Sequence, residues 1–396
     1  MQTYLVGGAV RDQLLNIKVQ DKDWVVVGSS EAEMLDQGFT AVGKRFPVFL
    51  HPENKQEYAL ARTEKKTEPG HTGFRSYFKS DVTLEEDLLR RDLTINAIAK
   101  NNAGKIIDPY NGQRDLNKRI LRHVSPAFSE DPLRVLRVAR FAAKLAHLSF
   151  SIHPETLEIM NYISQSGELK YLTPERVWQE WHKSLKTQDP TVFLSILEQC
   201  NALKEIFPEF HMRQSKQQTG TLEIARAIAS LSTSAPLRFA AQIQNLGRNT
   251  ILENEYFDEE KCYYVGNLIE QFSKRIKIPN AFKELAVIIW TQRINIHRAE
   301  TLSSLTKLQI LNELDVWRKP ERLQQVLLCC QADHYEGQVN FQDKSYQQRN
   351  IFESAYQAAS SVDIEPIISS TFKGKEIRTK IEKQRIRAIT ENPFSK

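Results

Sequence analysis

The sequence predicts an α+β protein: a small head that mixes strands and helices, followed by a long all-helical body. Three observations carry this. Short runs rich in Val, Ile, Tyr and Phe alternate with helical stretches over about the first 125 residues. From about Glu130 onward the periodicity is almost wholly helical. The 396 residues are enough for two to four domains, and 41% hydrophobic with 26% charged residues is the composition of a globular protein.

Each element has a signal. Strands are expected at Tyr4–Gly7, Asp23–Val27, Phe46–His51, Glu57–Arg62 and Lys105–Asp108. Helices are expected at Val10–Asn16, Ser30–Gln37, Leu84–Asn101 and Gly112–Asn117. The stretch Arg134–Ala143 has helical spacing and no breaker. Thr173-Pro174-Glu175-Arg176 reads as a helix start, with Thr as N-cap, Pro in the first turn and then an acid. The polar segment Thr63–Arg75, with one Pro and two Gly, reads as a long loop, either a functional lid or a surface excursion. There is no internal repeat.

Composition excludes some classes. No run of 18 apolar residues exists, and no basic-then-apolar leader opens the chain, so a cytoplasmic protein with no membrane association is expected. Cys200, Cys262, Cys329 and Cys330 lack metal-ligand spacing and read as reduced thiols. The net charge is +5. Its distribution is uneven: from Phe372 to Ile389, Lys373, Lys375, Arg378, Lys380, Lys383, Arg385 and Arg387 stand against Glu376 and Glu382. That helix suits a phosphate backbone, or is a solvated chain end.

The chemistry concentrates near the N-terminus. Asp21 and Asp23 flank Lys22 at the start of a Val-rich strand. Alternation points both carboxylates one way, with Cα atoms roughly 6–7 Å apart. Two such oxygen ligands can share Mg²⁺. Upstream, Leu5-Val6-Gly7-Gly8-Ala9-Val10-Arg11-Asp12 reads as strand, tight turn and helix start, an arrangement that seats phosphate. A phosphate seat beside a metal-binding pair suggests metal-assisted nucleotidyl transfer. Glu57, on a neighbouring strand, is a candidate third carboxylate or a structural residue.

Two later clusters are charged. Arg91, Asp92 and Asn96 interrupt an otherwise apolar helix, as an ion-paired surface or as contacts to phosphate and ribose. Asp131 and Arg134, three apart, share a helix face. A carboxylate accepts from an exocyclic amine and a guanidinium donates to ring acceptors. One such pair can therefore read both cytosine and adenine, while an intrahelical salt bridge is the alternative. Arg137 and Arg140 continue that face and suggest a triphosphate or RNA.

Together these residues resemble the class II (bacterial) CCA-adding tRNA nucleotidyltransferases. The matching segments are Leu5–Asp12, Asp21–Gly28, Arg90–Ala99, Asp108–Leu116, Glu130–Ala143 and Thr173–Glu180, and the likeness extends through Phe372–Ile377. The resemblance implies a nucleotidyltransferase head of the DNA polymerase β superfamily with a mixed sheet, then a helical neck, body and tail. The expected divisions are 1–140, 141–210, 211–340 and 341–396. It implies Mg²⁺ on Asp21 and Asp23, and Gly8 and Arg11 on the triphosphate. Arg91, Asp92, Asn96, Asp131, Arg134, Arg137 and Arg140 would form the nucleotide pocket, with Glu175 and Arg176 bracing it. The partners implied are the tRNA 3′ end, CTP and ATP, and no protein partner. The loop from Thr63 would serve the switch from C to A, and the basic tail would grip tRNA. In long-chain relatives a His-Asp pair supports phosphohydrolase chemistry. Here Gln244 and Asn245 stand in that place and His211 stands apart, so this activity is expected to be absent. A poly(A) polymerase, a split CC- or A-adding enzyme, and a non-catalytic RNA-binding protein are the alternatives.

Overall fold

The computed structural model describes residues 1–42, 48–66, 74–210, 218–244, 246, 259–368 and 374–395. The chain forms two compact units, Met1–Pro208 and Glu209–Lys396.

The first unit is built on β1 (Gln2–Val6), α1 (Gly8–Leu14), β2 (Asp23–Val27), α2 (Glu31–Asp36), β3 (Thr40–Ala41), β4 (Val48–Leu50) and β5 (Glu57–Leu60). It continues through β6 (Thr63–Lys66), β7 (Phe74–Tyr77), α3 (Leu84–Leu89), β8 (Ala99–Asn101), β9 (Ile106–Ile107), α4 (Gly112–Lys118) and β10 (Ile120–Leu121). Then come α5 (Leu133–Leu145), β11 (Ser151–Ile152), α6 (Pro154–Gln165), α7 (Pro174–Leu185), α8 (Thr191–Gln199) and α9 (Ala202–Ile206).

The main sheet has seven strands in the order β3-β4-β5-β2-β1-β8-β9. It is mixed: β2 and β5 run parallel, and the other described pairs are antiparallel. Alternation along β2 sorts its residues. Val26 joins Met34, Phe39, Phe49, Tyr58 and Leu60 on one face. Val25 joins Val6, Ala61, Leu84, Leu88 and Ala99 on the other. Asp23, two residues before Val25, therefore opens on the face that carries α3. Ser30 and Thr83 cap α2 and α3 with reciprocal capping boxes, which fixes where each helix begins.

Two expectations change. The expected helix Leu84–Asn101 is helical only to Leu89; the rest is a short 3₁₀ turn at Thr94–Asn96 and then β8. Asp92 explains the break. Its carboxylate accepts the N–H of Leu93 and the amide of Asn96, at 2.9 Å each, which competes with helical bonding. The expected loop Thr63–Arg75 begins and ends as a hairpin, with Thr63 paired to Tyr77 and Lys66 to Phe74. Residues 67–73 of that expectation lie outside the described residues, as do Phe46 and Pro47 of the expected strand Phe46–His51.

In the second unit the helices are α10 (Gln218–Leu231), α11 (Ala235–Ile243), α12 (Glu259–Ile276), α13 (Asn280–His297), α14 (Ser304–Glu313), α15 (Glu321–His334), α16 (Gln347–Ser360), α17 (Glu365–Ile368) and α18 (Gly374–Glu391). Helix α13 packs against α11, α12 and α15, with Trp290 and Ile289 buried. Helix α18 packs on α14 and α16 through Ile389. No described helix is long and apolar enough to cross a membrane. Cys200, Cys329 and Cys330 are buried free thiols.

Candidate active site

The head sheet, α5 and α7 enclose a cleft of about 1510 Å³. Eleven Arg or Lys residues and six Asp or Glu residues line it, a surplus that suits a polyanion.

The carboxylate pair sits on its wall. Asp23 is the first residue of β2, and Asp21 lies just ahead of the strand rather than inside it. Neither carboxylate takes a hydrogen bond or ion pair among the described residues. Desolvation in the cleft raises the Asp23 pKa; Arg91 pulls it down and Asp21 pushes it up. Two unpaired, mutually repelling hard-oxygen donors fit a divalent cation such as Mg²⁺, with waters and phosphate oxygens completing its shell. No cluster of three His, Cys, Asp or Glu ligands exists among the described residues. Glu57 is the register partner of Asp23 on the parallel strand β5, but it does not line the cleft.

Gly7 makes the turn into α1. Its φ is +68°, and a Cβ there would stand 2.9 Å from Nη1 of Arg91. Gly8 and Ala9 follow at the cleft wall. Arg11 is buried, donating to Asp12 at 2.8 Å and to Asn96 at 2.6 Å, over the ring of Phe141.

A chain of bonds runs on from Arg11. Asn96 accepts from Arg11 and donates to Asp92, and Asp92 accepts from Arg137 Nε at 2.7 Å and pairs with its Nη2 at 2.6 Å. Burial alone would raise the Asp92 pKa. Arg137 and Asn96 outweigh it and hold the group well below the usual carboxylate range. Asp92 and Asn96 thus lie on the segment that replaces the expected helix, and with Arg137 from α5 they are three expected pocket residues that partner one another.

Asp131 and Arg134 do not share a helix face as expected. Asp131 is extended (φ −111°, ψ 106°) and precedes α5, its carboxylate accepting the N–H of Leu133. Pro132 between them starts the helix and leaves Asp131 outside it. The two do not pair. Arg176 bonds Asp131 at 3.1 Å, and Arg134 donates to the main-chain carbonyls of Ala127 at 2.9 Å and Arg90 at 2.6 Å. Both line the cleft. Arg140 pairs with the buried Glu180 of α7. Thr173 takes the N-cap position of α7 without a side-chain capping bond. Arg176 braces Asp131, while Glu175 is exposed and away from the cleft.

Sequence reasoning passed over several contributors. Asp87 is fully buried and pairs with Arg90 at 3.0 Å and Arg91 at 3.1 Å. Glu64 on β6 pairs with Arg62 at 2.8 Å and Arg90 at 3.2 Å. Lys144 pairs with Asp12 at 2.9 Å. Glu180 was visible as the acid that closes the Thr173–Glu180 segment; the others carry no local signal.

In the tail, Lys375, Arg378, Lys380, Lys383 and Arg387 are exposed. Arg385 is not available in the same way, since its guanidinium lies 3.5 Å over the ring of Trp317. Lys373, Asn245 and His211 lie outside the described residues.

The Poly A polymerase head domain family matches residues 3–122, and the family described as "Probable RNA and SrmB- binding site of polymerase A" matches residues 149–213. A Multifunctional CCA protein of Vibrio cholerae is 55% identical over 98% of this chain and 99% of its own length. One of Vibrio parahaemolyticus is 56% identical over 98% of each. The chain belongs to the bacterial class II CCA-adding enzymes. The fold of this CCA-adding enzyme is similar to that of solved structures. A Thermotoga maritima CCA-adding enzyme complexed with tRNA has a TM-score of 0.65 at 20% identity, over 98% of this chain and 86% of that one. A CCA-adding enzyme in complex with CTP has a TM-score of 0.64 at 21% identity, over the same shares.

Proposed function

We propose that this enzyme adds C, C and then A to the 3′ end of tRNA from CTP and ATP, without a nucleic-acid template, releasing pyrophosphate. The observation that carries the residue assignment is one cleft holding both the unpaired Asp21/Asp23 pair and the separately anchored Asp131 and Arg134.

Asp21 and Asp23 would hold Mg²⁺, which when bound supplies charge neutralisation for the attacking hydroxyl and the leaving phosphates. Gly8 and Arg11 seat the triphosphate, and Arg11 is pre-positioned by Asp12 and Asn96. Arg91 lies between the carboxylates and the phosphates, steadied by Asp87. Asp92 and Asn96 order the ribose position, with Arg137 as the counter-charge. Asp131 accepts from the amine of cytosine or adenine, and Arg134 donates to the ring acceptors beside it. Arg140 and Arg176 hold the wall, the first through Glu180.

The finer division into head, neck, body and tail at 140, 210 and 340 fits these roles. So does tRNA binding by the exposed cations Lys375, Arg378, Lys380, Lys383 and Arg387. A cytoplasmic location suits the substrate. The body carries no metal hydrolase: Gln244 stands buried in its core, and an amide is a poor ligand for a transition metal.

Gel-resolved extension of a tRNA transcript lacking its 3′ end tests this. Two additions are expected with CTP and Mg²⁺, and a third only when ATP is present. Long A tails would identify a poly(A) polymerase, and arrest after C-C a split-function enzyme. Nucleotide binding without extension would identify a non-catalytic RNA-binding role.

A further inference from the structure

Helix α5 runs along the cleft as a rail. Arg134, Arg137, Arg140 and Lys144 recur at steps of three or four residues, and all line it. Ten residues at about 1.5 Å each make this row roughly 15 Å long, about the reach of one extended nucleoside triphosphate. Arg134 stands at the base-reading end. Arg137 meets Asp92 next, and Arg140 shares the Phe141 ring with Arg11. Lys144 marks the far end.

The cleft continues there. His147 just past α5, Lys183 in the last turn of α7 and Lys186 just past its end add to the wall. Lys183 and Lys186 are exposed and form no ion pair among the described residues. Lys144 shares its ion-pair partner among the described residues, Asp12, with Arg11. Burial, then Arg11 and Arg140, lower the Lys144 pKa against the pull of Asp12. Among the described residues, the ion pairs of Arg11, Arg140, Lys144, Lys183 and Lys186 are with Asp12 and Glu180 alone.

In an in-line displacement the leaving group departs on the side opposite the attacking hydroxyl. With the triphosphate laid along α5, that direction leads from Arg11 past Lys144 to Lys183 and Lys186. We propose that Lys144, Lys183 and Lys186 form an exit seat for inorganic pyrophosphate, beyond the position that holds the intact triphosphate. This rests on the assignment of Gly8 and Arg11 to the triphosphate. The seat draws the product off the reacting phosphorus and sets how strongly accumulated pyrophosphate stalls the next addition.

The test is the double variant Lys183→Gln/Lys186→Gln of the full-length enzyme. Both residues are exposed, Lys183 on α7 and Lys186 at its C-cap, and Gln keeps helix propensity. CTP incorporation into tRNA ending before C-C-A is measured against added inorganic pyrophosphate. The expected result is that the inhibition constant for pyrophosphate rises by about fivefold or more relative to KM for CTP. Calorimetric titration of inorganic pyrophosphate should show the same weakening without turnover. Equal rises in both constants would place the lysines on the intact triphosphate and overturn the proposal. A raised KM for tRNA with unchanged pyrophosphate inhibition would assign them to the RNA backbone, and no change in any constant would also overturn it. The underlying assignment fails separately: in the unmodified enzyme, pyrophosphate would then not compete with CTP.

Discussion

Asp23 sits in a conflict that a bound cation would resolve: burial and Asp21 oppose its charge, and Arg91 favours it. Its pKa is raised, so the folded protein binds that proton more tightly than the unfolded chain does. The associated stability is therefore fully present below the unfolded pKa and is lost as pH rises through the folded value. Asp23→Asn should raise the thermal midpoint of the metal-free protein at neutral pH. The same variant should lose transfer activity by on the order of a hundredfold or more, and near-normal transfer would refute the metal assignment. Asp92 behaves oppositely. Its pKa is depressed, so its contribution is present above the unfolded value and is lost as pH falls through the folded one. Asp92→Ala removes the ion-pair partner of Arg137, whose side chain is 37% exposed, and should cost about 1–3 kcal/mol in urea titrations. Arg134→Ala should relax base choice more than it weakens triphosphate affinity. Undiminished rejection of UTP and GTP by that variant would count against its role in reading bases.

At the scale of elements, the turn between β1 and α1 is the most sensitive. Gly7→Ala forces φ +68° on a residue with a Cβ and drives that Cβ against Arg91. A loss of about 1–3 kcal/mol is expected, with a rise in KM for the nucleotide; an unchanged melting curve would contradict the strain. The glycine pair was legible in the sequence as a turn, but the close approach to Arg91 was not, because that residue arrives from 84 positions away. The segment after α3 shows a different limit. Leu93, Ile95, Ala97, Ile98 and Ala99 are all essentially inaccessible, so burial on every side mimics a continuous apolar helix. Only the Asp92 side chain, bonding to its own neighbours, reveals the break. The hairpin of β6 and β7 also hid in polar composition, since ladder bonds need no hydrophobic pattern.

Across the whole molecule, the motif residues were readable because each carries its chemistry in its own side chain. Their partners were not: Asp87, Glu64 and Lys144 are ordinary surface residues by type, and only the folded chain brings them against the arginines and Asp12 of the cleft. The second unit tells a similar story, for a helix with seven cations in and beside it spends one of them, Arg385, on Trp317. Replacing Lys375, Lys380 and Lys383 with Gln should weaken tRNA binding and flatten its salt dependence, by roughly 0.7–0.9 in the logarithmic slope per lost phosphate contact. A salt slope equal to that of the parent protein would remove the tail from the RNA interface. Incubation of the purified chain with transition metals and a phosphomonoester should release no phosphate. Arg134, finally, hangs from two carbonyls of the protein's own main chain, those of Ala127 and Arg90. If Arg134 reads the base as proposed, the instruction for a terminal sequence of RNA would be stored in a codon for arginine rather than in a complementary strand. A ribosome that misread that codon once would then make an enzyme that repeats the mistake on every RNA it handles.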